Sequence, residues 1–299
     1  MFRNLFQESG LSLERLHTFC LVAGAGGVTR AAGGDPTKQS QFSRQIKELE
    51  AYFGVELIRR NGRGLVLTGA GKQLAGIVHE HLTALTDFKS ECDKRPFKIT
   101  MAGGDSLMYW VILPRLARLK KRLPNTIFGL LNLKTAEILN RLKDGTIDFG
   151  VVRESGISSP LKASLLGIMS HSLFVSQQSN ASSDVEKILC EFPVATLEGD
   201  GSFRRELTTA FYKHTCGLNI QLECSSFPLI ARALKSHKAA AILPNIARCE
   251  FGDGSVVEIK TPLLKRFDRR IVLAWNIRNS RIRAVVEKAR LAISEEIKF

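Results

Sequence analysis

Residues 39–47 read QSQFSRQIK. On a helix, Gln39, Ser40, Ser43, Arg44 and Lys47 fall to one side. Amides and hydroxyls exchange hydrogen bonds with base edges. An arginine serves a guanine edge or a phosphate, and a lysine serves a phosphate. A little further on, Arg59, Arg60 and Arg63 flank a turn, where they could enter a minor groove whose negative potential attracts arginine. This chemistry is recognition of a polyanion, not bond-making. The plain alternative is a solvated helix face, above all for Lys47 or Arg63 taken alone. The chain has no G-x-x-x-x-G-K-[ST], H-E-x-x-H or G-x-S-x-G pattern. His17, His79, His81, His171, His214 and His237 have no evident acid or nucleophile partner. No enzymatic activity, cofactor or metal is expected.

The elements that must position these residues are legible. Ser12 is a good N-cap, and Leu13, Leu16, Phe19, Cys20 and Ala23 follow it at helical spacing until Gly24, Gly26 and Gly27. A short helix is expected from Val28 to Ala32, then a break at GGDP. The next helix is expected over 37–52, with Phe42, Ile46, Leu49 and Phe53 as its buried stripe. Asn61-Gly62-Arg63-Gly64 between apolar runs predicts a hairpin. Three short helices and a hairpin make a winged helix-turn-helix, whose second helix of the pair enters the major groove. Thr68 should cap a long helix reaching Lys94. Along it, Leu74, Val78, His81, Leu85, Phe88 and Cys92 form an approximate heptad seam suited to packing on a second copy.

Composition supports an anionic partner. Among 299 residues the net charge is +14, and such a surface favours nucleic acid, acidic membranes or anionic ligands. Residues 1–95 carry only +3 of it and the remainder +11, so the charge is not concentrated on the proposed reading head. The excess includes KRFDRR at 265–270 and RNSRIR at 278–283; most of it reads as solvated surface, with backbone contact by a wrapped duplex as the minor reading. No apolar run approaches the ~18 residues that span a membrane. The six cysteines, Cys20, Cys92, Cys190, Cys216, Cys224 and Cys249, lack zinc spacing. They read as reduced thiols of a cytoplasmic protein, with a Cys216–Cys224 redox pair as the lesser reading.

From Phe97 strands alternate with helices: FKITMAG, WVILPRLARLKKRLP, TIFGLLNL, TAEILNRLKDG and IDFGVV. That rhythm predicts a parallel sheet with helical crossovers. It continues more loosely to a last helix expected over 280–297.

The stretches LERLHTFCLVAGAGGVTRAA and QSQFSRQIKELEAYFGVELIRRNGRGLVLTGAGKQL resemble the LysR-type transcriptional regulators. The likeness is dense over 11–75 and continues through LPRLARLKKRLPN, LKDGTIDFGVVR and AAAILP. Three places depart from the family pattern: GGDPTK, Ile58 for the usual Phe, and His237-Lys238-Ala239 for a Gly-rich turn. Gly33, Gly34 and Pro36 are expected to shorten or loosen the scaffold helix.

The resemblance implies an α/β protein overall. A winged helix-turn-helix (1–67) and a dimerising linker helix (68–95) would precede a two-lobed α/β effector domain (96–299) like a periplasmic binding protein. Lobe I would hold about 96–165 and 267–299, and lobe II about 166–266. The implied function is a homo-oligomeric, effector-controlled regulator binding double-stranded DNA. Ligands of such sheets sit beyond the strands' carboxyl ends. That rule selects Ser106, Thr135 and Arg153 in one lobe, and Phe203, Arg204, Ser226 and Phe227 in the other. Ordinary helix capping is the competing role for Ser106 and Thr135. The arginines point to a small anion such as a carboxylate. The alternative function is a cytosolic small-molecule binder with weakened DNA contact, motivated by the GGDP segment.

Overall fold

The computed structural model describes residues 3–61, 64–176, 184–211 and 218–299. The first unit holds α1 (Arg3–Phe6), α2 (Leu13–Ala25), α3 (Val28–Ala31), α4 (Pro36–Phe53), β1 (Ile58–Asn61) and β2 (Gly64–Leu67), followed by the long α5 (Gly69–Cys92). Ser12 caps α2 by accepting the Arg15 N–H at 3.2 Å. Gly26, in the left-handed region at φ 66°, ends it. Phe19, Leu49 and Leu57 form the small core, with Leu16, Leu67 and Leu74 packed on it. Ile46 and Leu49 carry the buried stripe of α4, whereas Phe53 stands exposed at the helix end.

The GGDP segment is a built turn. Gly33 and Gly34 are both left-handed, and the Gly34 N–H reaches back to the Thr29 carbonyl at 3.1 Å. This closes a helix of four residues in the manner of a glycine C-cap. Asp35 then caps α4, accepting the N–H groups of Thr37 at 2.8 Å and Lys38 at 3.2 Å, with Pro36 in the first helical position. The scaffold helix is therefore short, as expected, but firmly joined to α4.

In the hairpin, Asn61 pairs with Gly64; Gly62 and Arg63 lie outside the described residues. The seam of α5 divides. Leu74 packs on the N-terminal core and Val78 is buried, while His81, Leu85, Phe88 and Cys92 are exposed.

The remainder is built on two five-stranded sheets. Its elements are β3 (Phe97–Gly103), α6 (Asp105–Leu107), α7 (Leu116–Arg122), β4 (Thr126–Asn132), α8 (Thr135–Lys143), β5 (Phe149–Arg153), β6 (Leu161–Met169), β7 (His171–Ser176), α9 (Val185–Glu191), β8 (Val194–Leu197), α10 (Ser202–Phe211), β9 (Ile220–Cys224), α11 (Phe227–Ser236), β10 (Ala240–Pro244), β11 (Val256–Ile259), β12 (Arg269–Asn276), α12 (Ile277–Ile282) and α13 (Ala284–Glu296). The first sheet runs β4-β3-β5-β12-β6 and the second β11-β7-β10-β8-β9. β4-β3-β5 and β10-β8-β9 are parallel, as the rhythm predicts. β12 and β7 run against their neighbours, so both sheets are mixed.

The chain crosses between sheets twice, at Ser170 and over 260–268. β6 belongs wholly to the first sheet, so that sheet reaches Met169 rather than about 165. Pro114 removes a helical N–H, and the expected helix before Pro124 becomes a π-turn (Met108–Ile112), a 3-10 turn (Leu113–Arg115) and α7. The last helix likewise divides into α12 and α13 around Arg283.

Cys20, Cys92, Cys224 and Cys249 are free thiols. Cys190 is disulfide-bonded, which corrects the reading of uniformly reduced cysteines. Cys216 lies outside the described residues, and Cys224, being free, forms no bond with it.

Candidate nucleic-acid interface and ligand cleft

Between α4, the β1 edge and α3 lies an open groove of about 960 Å³. Gln39, Ser40, Ser43 and Lys47 line one wall, and Arg59 and Arg60 the wing side. The face is polar because α4 spends its apolar positions on the core. Gln45, on the inward side, is buried; Thr18 Oγ1 donates to it at 2.7 Å, and its amide donates to Glu14 at 2.9 Å. This lock fixes the rotation of α4 against α2, so Ser40, Ser43 and Lys47 turn outward and stay exposed.

Arg44 stands on the adjoining flank, 75% exposed, and lies 3.6 Å from Glu48. Arg15 holds that same carboxylate at 2.5 Å. Arg44 is thus loosely tethered and free to swing to a partner. Arg63 lies outside the described residues. The groove also holds Thr29 and Arg30, which the helical pattern of 37–52 does not include. Thr29 Oγ1 donates to Gln39 Oε1 at 3.3 Å, orienting that amide. The available signal was their place on the short helix ahead of the recognition helix. Asp35 occupies the N-terminus of α4, so that end is already neutralised by a carboxylate and is not an empty phosphate seat.

The residues expected to line a ligand cleft have different surroundings. Ser106 sits half-buried in α6 and Thr135 exposed at the first residue of α8. Neither caps its helix, since Gly104 and Lys134 hold the cap positions without side-chain bonds. Ser226 does cap α11, accepting the Leu229 N–H at 3.4 Å. Phe203 is only 4% exposed and belongs to the second lobe's core. It stacks on His171 at 5.7 Å between ring centroids and meets Phe227 edge-on at 5.0 Å. Arg204 pairs with Glu223 at 3.0 Å, while its second terminal nitrogen is buried without a partner.

Arg153 crosses from the first lobe to donate to Ser202 Oγ of the second at 2.9 Å. Burial, then the Arg269 charge, lower its proton affinity, and Glu206 opposes them. Arg269, on β12, pairs with Glu206 of α10. No signal in the sequence marks His171 as a site residue. It is buried, its Nδ1 has no partner, and its pKa is lowered to about 3. Burial is the main cause, with Arg269 and Arg153 adding to it. At neutral pH this corner therefore holds two cationic arginines, a neutral imidazole and one facing acid. Trp110 also bridges the lobes, donating to Glu250 at 2.9 Å.

Among the described residues no group of three or more His, Cys, Asp or Glu is placed to share a metal ion. No helix there is long and apolar enough to cross a membrane.

A helix pair with a wing, a long connecting helix and a two-sheet α/β unit define a DNA-binding regulator with a ligand-binding domain. Residues 13–72 match the family of bacterial regulatory helix-turn-helix proteins of the lysR family, and residues 98–292 match the LysR substrate binding domain. The chain belongs to the LysR family and is a LysR-type DNA-binding transcriptional regulator with an effector-binding domain.

It is 27% identical over 274 residues to the uncharacterized regulator YfeR of Shigella flexneri, covering 85% of each chain. It is 33% identical over 149 residues to a probable nitrogen assimilation transcriptional activator of Synechococcus elongatus, covering 48% of each. Among solved structures, full-length OxyR of Pseudomonas aeruginosa shares the fold at TM-score 0.68 and 17% identity, with 96% of this chain and 95% of that one covered. LysG of Corynebacterium glutamicum, solved with its effector arginine, shares it at TM-score 0.63 and 18% identity, with 93% and 98% covered.

Proposed function

We propose that α4 reads operator bases through Gln39, Ser40 and Ser43. Lys47, Arg44, Arg59, Arg60 and Arg63 hold phosphates or reach groove edges, and Thr29 and Arg30 extend the surface. One observation carries this reading: the inward side of α4 is locked into the core while its polar side faces an open groove shared with the wing. The two-turn depth of that polar face suits a major groove about 12 Å wide. The alternative, a binder with decayed DNA contact, lost its motive when Gly33, Gly34 and Asp35 proved to form a well-bonded turn.

The effector is a small anion, a carboxylate being the simplest. It would lie between the two sheets against Arg153, with Ser106, Thr135, Arg204, Ser226 and Phe227 around it. The corner's excess of cations over acids supports this. LysG binds an amino acid, and an α-carboxylate would suit Arg153 in the same way. The chain acts in the cytoplasm, without enzymatic activity, as a homo-oligomer. The exposed Leu85 and Phe88 on α5 are its self-contact.

Footprinting on genomic DNA with the purified protein tests the first claim. A protected, roughly two-fold symmetric site that is lost on combining Gln39→Ala with Ser43→Ala supports it; unchanged protection by that variant rejects it.

A further inference from the structure

The long helix α5 is one unbroken rod of 24 residues, about 36 Å at 1.5 Å per residue. Its first turns are built into the DNA-binding unit. Leu74 and Ala75 pack on the Phe19–Leu49–Leu57 core. Thr68 Oγ1 donates to the Glu56 carbonyl at 2.6 Å. At Gly71 a Cβ would stand 2.0 Å from the Leu57 carbonyl oxygen, so only glycine fits beneath it. The DNA-binding unit and α5 therefore turn as one body.

The other end of the rod is held differently. Arg283, at the break between α12 and α13, has a side chain only 3% exposed. Its Nε donates to Asp87 Oδ2 of α5 at 2.5 Å, and Nη2 to Asp87 Oδ1 at 3.3 Å. Nη1 donates to Asp148, at the start of β5, and Nη2 also to the Lys98 carbonyl of β3 at 3.3 Å. Asp148 accepts in turn from the Thr100 N–H at 2.8 Å and from Asn279 at 3.2 Å. One guanidinium thus joins the rod to two strands and a helix of the first lobe.

Beside this joint the walls part. An open groove of about 430 Å³ runs between α5 and the lobe, lined by Ala84, Phe88, Phe97, Leu123 and Val285. Apolar packing does not close that end. A buried ion pair adds little net stability, but its two-pronged geometry is directional.

We infer that Asp87 and Arg283 are positioning residues: their pairing sets the angle at which the first lobe holds the DNA-binding unit. The inference needs neither the operator contacts nor the effector class proposed above, and its test uses neither.

Asp87→Ala is the clean variant, because it leaves Arg283 paired with Asp148 and the lobe's interior neutral. Spin labels go on Glu56→Cys and Lys120→Cys, both exposed, in a background where the free thiols Cys20, Cys92, Cys224 and Cys249 are replaced by serine. Labelled full-length chain is diluted into unlabelled protein, so that distances within one chain are read. The expected result is one narrow distance with Asp87 present and loss of that single distance in Asp87→Ala, with helical content unchanged. Arg283→Lys, which keeps the charge and loses the fork, should lose it too. If Arg283→Lys does not fold, Asp87→Ala decides alone. The same narrow distance in folded Asp87→Ala overturns the inference.

Discussion

The groove beneath α4 and the corner between the two lobes both collect arginines, yet they hold them in opposite ways. In the groove, Arg59, Arg60 and Lys47 are exposed, and the polar residues have few internal partners. At the corner, Arg153 is held by Ser202 and Arg269 by Glu206, against a buried, neutral His171. The groove keeps its cations solvated, at little desolvation cost. The corner between the lobes instead fixes its cations beforehand and desolvates them. Substitutions in the groove should therefore change binding and spare stability, while substitutions at the corner should change stability first.

The largest expected effect is on acid stability. His171 has its folded pKa lowered to about 3, against an unfolded value near 6.5. Below that unfolded value the unfolded chain takes up a proton that the folded chain refuses. The stabilisation is therefore complete above pH ~6.5 and is lost as the pH falls towards 3, by on the order of 5 kcal/mol. Urea midpoints followed by tryptophan fluorescence should show this slope, and His171→Phe should flatten it. An equally steep slope in the variant would take His171 out of the account.

Next comes Phe203→Ala, which empties the centre of the second lobe's aromatic cluster. It should cost about 3–5 kcal/mol in urea unfolding and leave half-site DNA binding by the N-terminal unit unchanged. A loss below 1 kcal/mol would mean the cluster is slack enough to serve as a ligand wall.

In the groove, Arg44→Ala should weaken operator binding by roughly 1–3 kcal/mol if the guanidinium reaches a base, with unfolding shifted by less than about 0.5 kcal/mol. Gel shift against the footprinted operator measures the first, and an unaltered affinity removes Arg44 from the interface. The smallest effect belongs to the wing. Arg59→Ala or Arg60→Ala should each lower the slope of log affinity against log salt by about one, evenly across DNA sequences. A sequence-dependent loss would show instead that the wing reads bases.

Both regions differ in how far the linear chain reveals them. The winged helix-turn-helix was readable because its signals are local. Ser12 and Thr68 cap as expected, Gly54 ends α4, and the 3.6-residue period separates Ile46 and Leu49 from Ser43 and Lys47. What local reading missed there, it missed through packing. Phe53 fits the stripe but overhangs the core, and Thr29 and Arg30 join the groove only because the Gly33-Gly34 turn folds α3 beside α4. At the corner, the strand-end rule points to Arg153, whose guanidinium reaches Ser202 of the other lobe, and to Phe203, which lies in the second lobe's core.

By itself the sequence determined the caps at Ser12 and Thr68, the polar side of α4, the alternation of strands and helices, and the family to which they belong. Each of these depends on neighbours a few residues apart, whose free energies the order of residues already fixes. Tertiary structure alone decided that Arg283 meets Asp87 and Asp148, that Arg269 meets Glu206, and that His171 loses its charge. Those groups stand from 63 to 196 residues apart, and their state depends on which of them burial deprives of water. Periodicity carries no record of that, because desolvation is a property of the assembled core.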